Sequence, residues 1–209
     1  MVKRAGLPLL LTVLLLSGAD AQTASTPPVR KPQELSISAG YLMNASRDVF
    51  HRFWRPGPAL AAEWSMGVQR SIYIGLELGG ALFPFSNTGF QRTYPDIPVQ
   101  SRTVAMWSVL VQWRFRPALT GNVAPFVSLG TGVARITPAS YKVVINGIRV
   151  TYYELPGRTR LALGLTAGCD FPLAARMHFR IEGGALYVHH DPDAGALLLF
   201  RAGLRFRVI

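Results

Sequence analysis

The sequence predicts an all-β fold, an eight-stranded antiparallel up-and-down transmembrane β-barrel, on three observations. Eight segments alternate apolar residues with small or polar ones at a period of two, the pattern of strands with one greasy face. The segments are also long. Ile72 to Leu82, at about 3.3 Å per residue, covers about 36 Å, and a tilt of about 45° reduces this to about 25 Å, the height of an apolar barrel belt. Strands of soluble sandwiches usually run to about five or six residues. Finally, the connections alternate. Those at Met43–Ala59, Phe85–Ser101 and Thr137–Thr159 are long, with His189–Gly195 a shorter member of that set, and those at Gln69–Ser71, Pro117–Asn122 and Pro172–Ala175 are short. Tight periplasmic turns and longer outside loops have this asymmetry, and an even strand number leaves both termini on one side.

Ahead of the strands, "MVKRAGLPLLLTVLLLSGADAQ" places Lys3 and Arg4 before an apolar run from Leu7 to Leu16 and then Ala19-Asp20-Ala21. That order predicts a secretory signal over residues 1–21, cleaved before Gln22. The run is shorter than the roughly 20 residues of a spanning helix, and the absence of a nearby cysteine disfavours a lipid anchor. Residues 22–33, "QTASTPPVRKPQ", are polar and proline-rich and predict a disordered periplasmic tether. The barrel is expected to occupy residues 34–209 as one domain.

The first strand alternates Leu35, Ile37, Ala39 and Tyr41 with Ser36, Ser38 and Gly40; the second alternates Leu60, Ala62, Trp64, Met66 and Val68 with Ala61, Glu63, Ser65 and Gly67. In the third, Ile72, Ile74, Leu76, Leu78 and Leu82 oppose Tyr73, Gly75, Glu77, Gly79 and Ala81, so Glu77 faces away from the grease. The fourth runs from Ala105 to Phe115 and the fifth from Val123 to Val133. The last three carry greasy rows at Leu161–Phe171, Met177–Tyr187 and Ala196–Val208. Tyr41, Phe83, Tyr187, Trp113, Phe115, Phe171 and Phe206 fall at strand ends as candidate interfacial girdles.

A barrel of about eight strands has an interior just wide enough for side chains. Strand parity directs Glu63, Glu77, Asp170 and Glu182 inward with Arg114, Arg160, Arg176, Arg180, Arg201 and Arg205, while Arg205 and Arg207 could instead reach periplasmic water. A lumen charge network of Glu63, Glu77, Glu182, Arg114, Arg180 and Arg201 is therefore expected, because an unpaired buried charge is expensive. Inward glycines, among them Gly75, Gly79, Gly168 and Gly203, make room for the long side chains.

The net charge is +11, nearly all of it arginine, because lysine occurs only at Lys3, Lys31 and Lys142. A mean hydropathy of +0.23 and scattered arginines argue against nucleic acid and favour anionic lipid headgroups. One cysteine, Cys169, excludes an intrachain disulfide framework, and with no histidine beside it on its face it reads as a small lipid-facing residue.

With "YIGLELGGALF", "VAPFVSLGTGVARI" and the closing "LLLFRAGLRFRVI", the mature chain resembles the small outer-membrane β-barrel proteins, the OmpA-like transmembrane-domain superfamily. The resemblance implies an outer-membrane location, insertion by the assembly machinery and contact with outer-membrane lipid and lipopolysaccharide. Such barrels typically end in an aromatic residue, where this chain ends in Ile209.

Two sharper chemistries come into question at "HHDPDAG", residues 189–195. One reading is a metal site of His189, His190, Asp191 and Asp193, but adjacent strand residues point to opposite faces, so at most one histidine converges with a given carboxylate unless the turn curls, and a solvated hairpin turning at Asp-Pro-Asp is the favoured reading. Lipid A deacylases of the PagL type need a serine two residues after the histidine, and no serine occurs after Ser140. "SLGTGVA" lacks the third glycine and the helix of a nucleotide-binding loop.

The outside loops interleave Arg52, Arg55, Arg92, Arg102 and Arg149 with Phe53, Trp54, Phe90, Tyr94 and Tyr152. Arg52, Trp54, Arg55 and Arg92 are candidate contacts to lipopolysaccharide or to an extracellular partner, and the alternative is loops that pack on one another over the barrel mouth. The resulting expectation is a monomeric, non-catalytic barrel without cofactor or metal, working through its loops. A lipid A-modifying enzyme and a narrow porin-like channel are the alternatives.

Overall fold

A computed structural model describes residues 31–45, 53–95, 97–117, 123–145, 147–155, 157–189 and 195–208. Segment 1–30, with the expected signal and most of the tether, lies outside them, as do Arg52 and residues 190–194.

The expected eight-stranded barrel is present. Its strands are β1 (Gln33–Asn44), β2 (Gly57–Gln69), β3 (Ile72–Phe83), β5 (Val104–Phe115), β6 (Ala124–Ile136), β9 (Arg158–Ala174), β10 (Met177–Val188) and β11 (Gly195–Arg207). Each pairs antiparallel with its chain neighbour in the ring, and β1 closes on β11 from Glu34↔Arg207 to Asn44↔Leu197. Closure removes every sheet edge, which a spanning structure needs because lipid offers no hydrogen-bond partner. The backbone is tied in ahead of β1, where Pro32 O accepts from Gly67 N at 2.9 Å, so the last residues of the expected tether already belong to the barrel.

The period-two pattern sorts the faces as physics requires. Leu161, Leu60 and Trp107 are 68%, 65% and 61% exposed on the outside, within a belt that also shows Ile37, Leu78, Leu129, Leu163 and Phe200. So large a continuous apolar surface has no place in water and is the lipid face of a transmembrane barrel. Tyr41, Tyr187, Trp113 and Phe115 lie on it. Phe83 does not: it shares the parity of Glu77, points inward and is 1% exposed, so it is no girdle residue.

Two long connections carry structure where the sequence reading expects plain loop. After β3, Ser86 caps the short helix α1 (Asn87–Thr93), its Oγ accepting from Gly89 N at 3.0 Å, and β4 (Val99–Ser101) follows. After β6 comes the hairpin β7 (Ala139–Ile145) and β8 (Ile148–Leu155), and β4, β7 and β8 form a three-stranded sheet. The hairpin turns at Gly147, whose φ of 78° suits a residue without a Cβ.

Candidate functional site

The interior has two layers. Towards the end that carries the short turns, five carboxylates (Glu34, Glu63, Glu77, Asp170, Glu182) meet five arginines (Arg114, Arg116, Arg180, Arg201, Arg205), so the layer is neutral. Glu63 and Glu77 stand directly opposite each other on β2 and β3, an arrangement that repels unless cations intervene. They do. Arg201 grips Glu77 with Nη1 at 3.0 Å and Nη2 at 2.8 Å, and Gln112 Nε2 donates to the same carboxylate at 2.7 Å. Arg201 Nε also lies 2.8 Å from Glu182, its cross-strand partner. Glu63 is held by Arg114 Nη2 at 2.5 Å and Arg180 Nη1 at 3.1 Å.

Deeper towards the turns, Arg180 Nε donates to Asp170 at 2.8 Å, and Arg116 forks onto Glu34 at 2.9 and 3.0 Å while reaching Asp170 at 3.1 Å. Arg205 bonds Glu34 and lies 3.2 Å from Asp170. Phe126 sits among these charges with Arg114 and Arg180 both 4.7 Å from its ring centroid, where the ring quadrupole attracts the guanidinium groups. Gly168 makes this possible, because a Cβ there would meet the Phe126 ring at 2.8 Å and Ile181 O at 2.3 Å.

All six residues expected in the network are thus placed together inside the barrel. Glu34 and Arg116 were missed, because the sequence reading begins the first strand at Leu35 and ends the fourth at Phe115; carrying the parity of Ser36 and Arg114 one step further finds both. Arg205 is buried and does not reach periplasmic water, whereas Arg176 is an exposed turn residue. Arg160 is half-buried and takes part in none of the ion pairs among the described residues. Arg207 is exposed.

The second layer fills the half nearer the long loops and is apolar, which inward parity alone did not suggest. Leu42, Phe83, Met106, Leu110, Leu186, Val188, Leu197 and Leu199 form one buried cluster. A cavity of about 40 Å³ remains where the layers meet, between Gln112, Leu110, Thr166 and Arg201, with room for a few water molecules.

Over the mouth, the loops pack on one another. Phe53 lies 5.3 Å from Phe90 and 5.9 Å from Tyr141, and Tyr141 stacks on Tyr152 at 5.5 Å. Trp54, expected as an outward anchor, is a correction: it is 2% exposed, edge-on to Phe85 at 5.1 Å, with Nε1 donating to Arg102 O at 3.4 Å. An indole carrying that much apolar area is driven under the cap. Arg55 and Arg92 are exposed, Arg55 Nε donating to Ser86 Oγ at 2.9 Å. His189 is exposed and its amide donates to Leu161 O at 2.9 Å, while the other residues of the metal and deacylase readings lie outside the described set. Among the described residues no cluster of His, Cys, Asp and Glu could hold a metal.

The crystal structure of Neisserial surface protein A superposes with a TM-score of 0.56 at 10% identity, over 84% of this chain and 96% of that one. The chain has the fold of the small, OmpA-like outer-membrane β-barrels. A major outer-membrane protein from Thermus thermophilus matches with a TM-score of 0.51 at 13% identity, covering 84% of this chain and 99% of that one. OprG from Pseudomonas aeruginosa matches at 0.51 and 8% identity, covering 85% and 97%. No protein-family model and no curated protein matches the chain. With this fold, the protein presents its belt to lipid and its two ends to water.

Proposed function

We propose that this protein is a monomeric, non-catalytic and non-conducting outer-membrane barrel, inserted by the assembly machinery, whose long loops face outward. Its work is done on the outside, at a cationic rim that contacts lipopolysaccharide phosphates or an extracellular partner. The observation that carries this reading is the double seal of the lumen: an interlocked neutral charge layer, then an apolar layer, then an aromatic cap. Moving an ion through the first layer means separating buried pairs, and through the second means desolvation without a partner. Arg55 and Arg92, exposed at the loop end, supply fork-shaped donors for phosphate oxygens.

The refolded protein in planar bilayers is expected to give no stepwise conductance, and reproducible unitary steps would overturn the reading. Lipid A from cells expressing the protein is expected to keep its mass spectrum. Loss of an acyl chain on expression would instead mark a lipid-modifying enzyme.

A further inference from the structure

Among the described residues the charges of this barrel are segregated. Glu34, Glu63, Glu77, Asp170 and Glu182 are all buried in the lumen, where arginines already neutralise them. Among the described side chains, the charged groups exposed at the loop end are all cations: Arg55, Arg92, Arg102, Arg135, Lys142, Arg149 and Arg158. Arg135 differs from the others because its strand parity, shared with Val133 and Leu129, turns it to the lipid side. It stands one residue before the end of β6, at interfacial depth, where an arginine on the lipid face is tolerated.

Register sets what lies beside it. Leu60, Gly80, Trp107 and Arg135 are consecutive cross-strand partners on β2, β3, β5 and β6, all on the outward face. Gly80 and Ala62 floor an apolar groove of about 650 Å³ whose walls include Leu60, Leu78, Leu82 and Trp107. The indole lies against Gly80 so closely that a Cβ there would sit 2.9 Å from Trp107 Cζ3. A groove shaped for hydrocarbon is thus walled by an amphipathic ring, and one strand beyond that ring stands Arg135, a guanidinium with no acidic partner among the described residues.

We propose that this groove and Arg135 form a binding site for one phosphorylated, acylated glycolipid of the lipid A type. An acyl chain lies on Ala62 and Gly80, the sugar edge rests by Trp107, and a phosphate is held by Arg135. The choice of lipid A over an anionic phospholipid rests on the proposed outward orientation of the loops, since the outer leaflet carries the phosphorylated glycolipid.

Folded protein in detergent is incubated with diphosphoryl lipid A or with phosphatidylglycerol, repurified, and the lipid retained per protein is measured by mass spectrometry. Wild type is expected to retain lipid A in preference to phosphatidylglycerol. Arg135→Gln should lower lipid A retention about tenfold, the effect of losing one charge-assisted contact. Arg135→Lys should restore part of it, Gly80→Val should lower it by displacing the indole, and Arg176→Gln, in a short turn at the opposite end of the barrel, should leave it unchanged. Arg135→Gln removes a charge from the lipid face, so its folding, checked by heat-modifiable migration, is not at risk. Wild-type retention by Arg135→Gln, or equal retention of both lipids, would overturn the site. An epitope inserted after Gly147 should be detected on intact cells; if hidden, it is the outward orientation that fails, whereas a detected epitope with unchanged lipid retention sinks the lipid site alone.

Discussion

Glu63→Ala tests the lumen network where it has least redundancy. Glu63 is held by Arg114 at 2.5 Å and Arg180 at 3.1 Å. Arg180 keeps Asp170 at 2.8 Å when Glu63 is gone, but Arg114 has no other carboxylate among the described residues. It would be left 2% exposed, with Ser128 Oγ at 2.9 Å and the Phe126 ring as its remaining partners. Breaking a buried pair from one side costs about 3–5 kcal/mol, whereas replacing both members by apolar groups is often neutral. The expected loss for Glu63→Ala is therefore about 3 kcal/mol or more, and for Glu63→Ala with Arg114→Met clearly less. Ser36→Ala, which removes a neutral hydroxyl bonded to Glu63 at 3.3 Å, should lose about 1 kcal/mol. Urea unfolding in detergent micelles, followed by tryptophan fluorescence, reads these as midpoints. With a slope of about 2 kcal/mol per molar, the glutamate variant should shift by about 1.5 M and the serine variant by about 0.5 M. A double variant no more stable than Glu63→Ala, or a glutamate shift no larger than the serine one, would refute the idea that desolvated charge governs this lumen.

Two further outcomes follow from the packing. Gly168→Val brings a branched side chain against the Phe126 ring and Ile181 O, and overpacking of about 1–3 kcal/mol should appear as a lowered unfolding midpoint, whereas Gly195→Val, with only Val188 O near at 3.8 Å, should not lower it. Trp54→Ala should loosen the cap: limited proteolysis is expected to cut the loops faster while heat-modifiable migration of the barrel persists, and unchanged cleavage would show that the indole is not what holds the cap.

Much of the architecture was legible in the sequence because a strand in a membrane obeys one rule at every step. Side-chain direction alternates, and lipid rejects charge, so Glu63, Glu77, Arg114 and Arg201 had only the interior to face. The same rule read one residue short at Gln33–Glu34 and at Phe115–Arg116 hid two members of the network, and Phe83 was misplaced by letting its aromatic character outweigh its parity. The loop sheet was signalled by Asn146-Gly147 between two alternating runs, a hairpin cue that a search for membrane-length strands passes over.

What the chain determined by itself was the period, and with it the number of spans, the lipid face and the list of residues confined inside. Which arginine meets which carboxylate was decided only in three dimensions. Glu34 and Arg205 are 171 residues apart and Glu77 and Arg201 are 124 apart, and they meet because the closed ring brings β1 beside β11 and places β3 across the lumen from it. The division of the interior into a charged and an apolar half belongs to the same level. It depends on how far along the barrel axis each inward residue sits, and that height is set by the register between strands, which no single strand contains.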